Sequence, residues 1–313
     1  MIENLFIFCV SIFLIIKGAT LSTKYAFRVS EKLKISKYVV GFIIVAIISI
    51  VPETLVSINS ALAGVPSMGL GTLLGSNVAD LTIVFAIIVF FANRNIQVES
   101  KILKENIIYP FFLLIPIILG LDGYYSRVEG LVLVIIGLIF YYIALRENKE
   151  NEPTAIRVEI DKKSKDHHIL FLVLSLVMLL VGSYFVVSST IDIANYIGVS
   201  SVVVGMLAIG LGTTMPELFF CLSAISRNHD SLAIGDILGT VLADATIVIG
   251  ILALISPFYF PTKIIYIAGL FMVFASILLF YFMKTGKSLS KKEAMLLASF
   301  WILFILIEII VNG

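Results

Sequence analysis

Apolar residues run along this chain in long blocks, broken by short polar stretches. They do not alternate, as in a half-buried strand, and they do not keep to one helical face. A membrane span needs about 20 largely apolar residues. The blocks at 3–22, 38–62, 69–92, 106–121, 128–146, 168–190, 197–225, 231–255, 262–283 and 293–311 meet or approach that length. The longest polar stretch, Glu147 to His167, separates five blocks from five. It mixes Lys149, Glu150, Glu152, Arg157, Glu159 and Asp161, and it is too short to fold by itself. The pattern predicts an all-α membrane protein of ten transmembrane helices, with halves at 1–146 and 168–313 and a cytoplasmic linker at 147–167.

The few polar positions inside the blocks repeat. Val51-Pro52-Glu53 runs on to Gly75-Ser76-Asn77-Val78-Ala79-Asp80, and Met215-Pro216-Glu217 runs on to Gly239-Thr240-Val241-Leu242-Ala243-Asp244. In each copy the two acids are 27 residues apart, and every match lies at an offset of 164, from Gly41 with Gly205 to Asp80 with Asp244. So many polar and glycine matches at one offset mark an internal duplication. The duplicated motifs span 41–83 and 205–247. Five spans per half is odd, so the second copy enters the membrane upside down, giving two inverted five-helix repeats. Secondary transporters commonly use this arrangement, with the site at the midplane between repeats.

Composition supports the membrane assignment: 60% of residues are hydrophobic and 14% charged, against roughly 45–50% and 25% in soluble domains. Mean hydropathy is +1.09. A net charge of +1 offers no basic surface for nucleic acid. Cys9 and Cys221 sit in apolar runs and suggest neither a disulfide framework nor a zinc site. The first 22 residues have no basic segment and no small-residue cleavage site, so they read as a span and not a leader. Lysine and arginine set the orientation. All but Arg127 and Lys263 fall in the loops after spans 1, 3, 5, 7 and 9. Those loops are therefore expected in the cytoplasm and both termini outside, at the plasma membrane.

Glu53, Glu217, Asp80 and Asp244 all lie well inside spans. A charge at the bilayer centre costs roughly 2.5–3.5 kcal/mol, so four unpaired ones would cost on the order of 10–14 kcal/mol. No intramembrane lysine or arginine lies nearby in sequence. The acids are expected to face inward together, with a cation or protons as the compensating charge. Pro52 and Pro216 each lack an N–H and clash with the carbonyl four residues back, which predicts a kinked or unwound helix before each glutamate. Freed carbonyls there can bind cations, and Ala46 and Gly210 stand at equivalent positions. Ser49, Ser76, Thr213, Thr214 and Thr240, with the amide of Asn77, complete an oxygen set suited to calcium, which takes 6–8 oxygen ligands. No histidine, cysteine or methionine is repeated, which disfavours a soft metal. The small residues Gly69, Gly71, Gly75, Ala79, Ala233, Gly235, Gly239 and Ala243 are expected to press spans 3 and 8 against spans 2 and 7.

At these residues the chain resembles the cation/calcium exchanger superfamily, most closely its prokaryotic sodium/calcium exchanger branch. Gly212-Thr213-Thr214-Met215-Pro216-Glu217 and Gly75-Ser76-Asn77-Val78-Ala79-Asp80 carry the resemblance. It implies ten helices with four around the ions, and a calcium-for-sodium antiporter working by alternating access. Glu53 and Glu217 would be shared ligands. Ser49, Ser76, Asp80, Thr213, Thr214, Thr240, Asp244 and the carbonyls of Ala46 and Gly210 would line the remaining sites, while spans 1 and 6 slide over the central bundle. Three positions depart from the family pattern. Ile50 removes a hydroxyl that Thr214 keeps, Val241 replaces an asparagine, and both third-span acids are Asp. A proton-coupled exchanger of calcium or another divalent ion therefore stays open as an alternative. An intramembrane aspartyl protease is more remote: Gly235-Asp236 is present but Ala233 breaks the full motif. No phosphate loop or HExxH occurs. The expected function is transport and not catalysis, with no resident cofactor. The expected partners are inorganic cations and the lipid bilayer, with no obligatory protein partner.

Overall fold

The computed structural model describes residues 2–30, 46–97, 108–149, 167–286 and 288–312. The expected start of span 2, with Gly41, and most of the linker at 147–167 lie outside the described residues. The described residues are mainly helical, because in an apolar environment a helix satisfies every backbone group within its own segment. The rods are α1 (Ile2–Ser30), α2 (Ala46–Leu62), α3 (Pro66–Ala92), α4 (Ile108–Leu119), α5 (Arg127–Lys149), α6 (His167–Ile197), α7 (Ser201–Ser226), α8 (230–255), α9 (265–286) and α10 (Lys291–Asn312). Among the described residues, seven helices are long and apolar enough to cross a membrane, namely α1, α3 and α6 to α10.

The 164-residue offset reappears in three dimensions. α3 opens with Pro66 and α8 with Asp230, and both widen into a single π-turn, at Asp80–Val84 and Asp244–Val248. The turn before α3 ends on Gly64 (φ +78°) and the turn before α8 on Asn228 (φ +57°). Asparagine is among the few non-glycine residues that accept this left-handed backbone. Two short antiparallel pairs cross between the halves: β1 (Ile96–Gln97) with β4 (Ser288–Leu289), and β2 (Tyr124–Tyr125) with β3 (Phe258–Tyr259).

Direction can be read from these ends. Arg94, just past α3, grips Asp230, the first residue of α8, with Nη1 and Nη2 at 2.6 and 2.7 Å from its two carboxylate oxygens. The end of α3 therefore sits beside the start of α8, and the two rods are antiparallel. The backbone N–H of Gln97 also donates to Asp230 Oδ2 at 2.9 Å. Burial works against the Asp230 carboxylate, but the hydrogen bonds from Arg94 and Gln97 outweigh it and hold its pKa below the ordinary range.

α3 and α8 form the centre: 83% of each span is buried, against 28% for α1 and 22% for α10. Small residues allow this. A Cβ on Gly75 would overlap the Met206 carbonyl oxygen of α7, and one on Gly71 would lie 2.9 Å from the Val202 carbonyl oxygen. A Cβ on Gly69 would lie 3.0 Å from Ser57 Cα of α2. The glycines thus press α3 onto α2 and α7, as the sequence suggested. The outer helices show Phe6, Phe13, Leu131, Leu174, Leu303 and other large apolar side chains. Exposed apolar surface this extensive needs a lipid or protein cover.

α1 and α6 form a second unit. They cross closely at glycines one offset apart: a Cβ on Gly18 would meet the Ser175 carbonyl oxygen at 3.0 Å, and one on Gly182 the Ser11 carbonyl oxygen at 3.1 Å. Ile15, Ala19, Leu179, Val186 and Val187 make a separate small core there, closed by Val56, Met68 and Ile209.

A buried cluster of acids between the two repeats

The four acids named from sequence are all buried, Glu53 and Asp80 at 1% exposure, Glu217 at 2% and Asp244 at 0%. They belong to one cluster. Asp80 stands in the field of Glu53 and Asp236, Glu217 in the fields of Asp80, Glu53 and Asp244, and Asp244 in the fields of Glu53 and Asp80. The hydroxyls come along: Thr213 lies beside Glu53, and Thr214 beside Asp80. Residues of α2 and α3 thus meet residues of α7 and α8, and each repeat completes the other.

Backbone geometry places these groups. In α7 a π-turn at Gly205–Ile209 precedes the Gly210–Ser226 helix that contains Pro216. The helix is widened ahead of the proline and runs on through it, so of the two expected outcomes, kinked or unwound, the unwound one does not occur. The π-turn ends before Gly212, the carbonyl that Pro216 leaves without a backbone donor, so the chain stays helical through both features. α2 also runs unbroken from Ala46 through Pro52 to Leu62. The Gly210 carbonyl accepts hydrogen bonds from Thr213 Oγ1 at 3.0 Å and Thr214 Oγ1 at 2.9 Å. In the third span of each half, the π-turn begins on the acid itself, at Asp80 and at Asp244.

The hydroxyl and amide groups divide. Ser49 Oγ donates to Asp236 Oδ1 at 3.1 Å. Ser76 Oγ turns back onto its own helix, to the Leu73 carbonyl at 3.0 Å. Asn77 Nδ2 donates to Met272 Sδ of α9 at 3.5 Å. The Thr240 hydroxyl has no hydrogen-bond partner, and neither do Glu53 Oε2, Asp80 Oδ1, Asn77 Oδ1, both Glu217 carboxylate oxygens and both Asp244 oxygens. Buried oxygens without partners are costly, and unpaired carboxylates most of all. Their chemistry fits a hard, oxygen-ligated cation as cargo. Among the described residues, no three acid, histidine or cysteine side chains converge closely enough to hold a metal alone. Holding a cation here would take carboxylates together with hydroxyls and carbonyls.

Sequence reasoning missed three features. Asp236 of α8 is fully buried and belongs to the cluster, although the sequence offered it only as half of a protease motif. Ser57, one turn beyond Glu53, is buried with its hydroxyl unpartnered. Tyr109 of α4 and Tyr141 of α5 donate to the Leu238 and Gly239 carbonyls at 2.7 and 2.6 Å. These contacts hold α8 just ahead of its π-turn. An acid inside an apolar span was the available signal for Asp236; the tyrosines gave none, since both sit among other aromatic residues.

The sodium/calcium exchanger protein family matches residues 3–146 and 167–310, one match to each half. The chain is 28% identical over 263 residues, 83% of each protein, to an uncharacterised membrane protein of Methanocaldococcus jannaschii. It is 21% identical to the sodium/calcium exchanger MaX1 of Methanosarcina acetivorans, covering 97% of this chain and 98% of that one. Its fold matches a solved structure of the sodium-calcium exchanger NCX_Mj with a TM-score of 0.70 and 22% identity, over 97% of this chain and 98% of that one. The chain belongs to the sodium/calcium exchanger family. It is a membrane transporter and not an enzyme, and the aspartyl protease alternative falls with that.

Proposed function

We propose that this member of the sodium/calcium exchanger family moves calcium out of the cell in exchange for sodium, by alternating access about the buried acid cluster. The observation that carries this is the set of unpartnered carboxylate oxygens of Glu53, Glu217, Asp80 and Asp244, drawn symmetrically from two antiparallel repeats. Glu53 and Glu217 serve as the ligands shared by both ions. Ser49, Ser76, Asn77, Thr213, Thr214, Thr240 and the carbonyls of Ala46 and Gly210 supply further oxygens. The helices count as ten spans in two inverted repeats, with both termini outside the plasma membrane and the linker in the cytoplasm. The antiparallel α3 and α8, and the two β pairs that cross between the halves, support that topology. The separate α1–α6 core supports a sliding pair that exposes the site to one side and then the other. Both halves of the site come from one chain, and no resident cofactor is invoked.

A specific observation favours a second reading, in which protons replace sodium. Ile50 takes a hydroxyl from the first copy, while Asp80 and Asp244 are both acids. An acid pair at the equivalent π-turns offers a place for a proton.

Calcium uptake into proteoliposomes loaded with sodium, with potassium, or with an acid interior separates these cases. Uptake with internal sodium alone, lost in Glu217→Gln, is the expected result. Uptake driven by the acid interior and indifferent to sodium would replace sodium by protons. No calcium uptake under any gradient would sink the proposal.

A further inference from the structure

Two of the differences between the copies of the site are opposite in sense. Where α7 carries Thr214, α2 carries Ile50, so the first copy has lost an oxygen. Where α3 carries Thr72, α8 carries Asp236, so the second copy has gained a carboxylate. Thr72 spends its hydroxyl on its own helix, donating to the Met68 carbonyl at 3.0 Å. Asp236 instead reaches across the repeat boundary, where Ser49 Oγ donates to its Oδ1 at 3.1 Å. The gained carboxylate lands beside the residue that precedes the lost hydroxyl.

Its setting is that of a ligand. Ser49 and Glu53 are four residues apart on α2 and share a face. Cys221, whose Sγ lies 3.9 Å from Asp236 Oδ2, is four residues beyond Glu217 on α7. Asp236 thus stands between the helix faces that bear the two glutamates, within the field of Glu53. Glu53 Oε2 and both Glu217 carboxylate oxygens are buried there without a partner. Along α8, Asp236 is about 9 Å from Asp230 and about 12 Å short of Asp244 at 1.5 Å per residue. It therefore lies on the side of the cluster toward the Arg94–Asp230 ion pair.

Resting on the cation-exchange reading above, the geometry points to Asp236 as a fifth carboxylate ligand, which with Ser49 and Glu53 binds a hard cation on the Arg94 side of the cluster. It supplies from the second repeat the oxygen that Ile50 removes from the first. A carboxylate in place of a hydroxyl also adds a full negative charge, and ligand charge sets the affinity of oxygen sites for cations.

The test uses the full chain in proteoliposomes and in detergent, and measures radioactive calcium binding, sodium competition against it, and exchange. The variants are Asp236→Asn, Ile50→Ser and the two combined. Asp236→Asn keeps an acceptor for Ser49 and removes only the charge. The expected result is a weakening of about tenfold or more in cation binding, with partial recovery when Ile50→Ser restores a hydroxyl. Weakened calcium binding assigns the cation as calcium; unchanged calcium binding with weakened sodium competition assigns it as sodium. Recovery by a new oxygen on α2 is not expected of a residue that merely packs. Wild-type binding of both ions and wild-type exchange in Asp236→Asn would overturn the ligand role while leaving cation exchange intact. So would a folded Asp236→Asn protein whose loss Ile50→Ser leaves untouched. If Asp236→Asn does not fold, Asp236→Glu decides, since it keeps the charge and shifts the oxygens by one methylene: altered calcium binding or sodium competition supports a ligand, and wild-type values for both overturn it. Absence of calcium transport in the wild-type protein would remove the underlying reading instead.

Discussion

The two copies of the acid motif share one backbone and differ in chemistry. α3 and α8 have the same length to the acid, the same π-turn on it and nearly the same burial. Yet the first copy reads Ser49-Ile50 where the second reads Thr213-Thr214, and Thr72 where the second reads Asp236. Geometry has kept its symmetry while the buried side-chain oxygens have not. Helix packing depends on small residues such as Gly71 and Gly75, where any side chain meets backbone. The oxygens that line a site can be exchanged one for another if the total charge and number still suit the ion.

The largest expected effect tests whether both copies are needed. Glu53→Gln and Glu217→Gln should each reduce calcium uptake by about 100-fold or more, as loss of a charged ligand from a buried site does. Activity that survived Glu53→Gln alone would mean that the second copy carries the site unaided. Next comes the shared geometry. Gly75→Leu places a side chain against the Met206 carbonyl, and it should destabilise the fold by about 3 kcal/mol or more. The check is the fraction of monodisperse protein and its melting temperature in detergent. Thr214→Ile, which gives the second copy the first copy's residue, should weaken sodium competition by about tenfold, the effect of one lost buried hydrogen-bonding oxygen. An unchanged sodium response would show that this hydroxyl, bonded to the Gly210 carbonyl, is not a ligand.

The smallest effect concerns the contact that ties the copies together. Asp230 titrates below its ordinary range because Arg94 and Gln97 hold its charged form. Such a group stabilises the fold above the unfolded carboxylate pKa, about 3.9, and that stabilisation is lost as pH falls through the lower folded value. Wild-type protein should therefore lose stability on acidification below about pH 4, and Asp230→Asn should be weaker by about 1–2 kcal/mol at neutral pH and flatter across that window. Arg94 is 35% exposed, which keeps the effect small.

Most of the helices were legible, because lipid imposes a plain rule: a span is long and apolar. The duplication was legible because Pro52, Glu53 and Asp80 keep their distances to Pro216, Glu217 and Asp244. The prolines were legible as perturbations but not in kind, since sequence does not reveal that the helices run on through Pro52 and Pro216 without unwinding. Nor could Ser76 and Asn77 be sorted by sequence. One turns to its own helix and the other toward Met272, and that choice depends on which neighbour arrives.

The sequence by itself determined that the chain is a helical membrane protein, that it is duplicated, and that four acids sit inside apolar spans. Those properties are local, or recur at a fixed spacing, so the chain alone carries them. Only the tertiary structure decided that Glu53 meets Thr213, that Asp236 belongs to the cluster and reaches Ser49, and that Arg94 locks onto Asp230 across the two repeats. Each pair is more than 130 residues apart in sequence. Such contacts follow from how the two halves dock, with α3 pressed by its glycines onto α2 and α7, which no spacing within either half can specify.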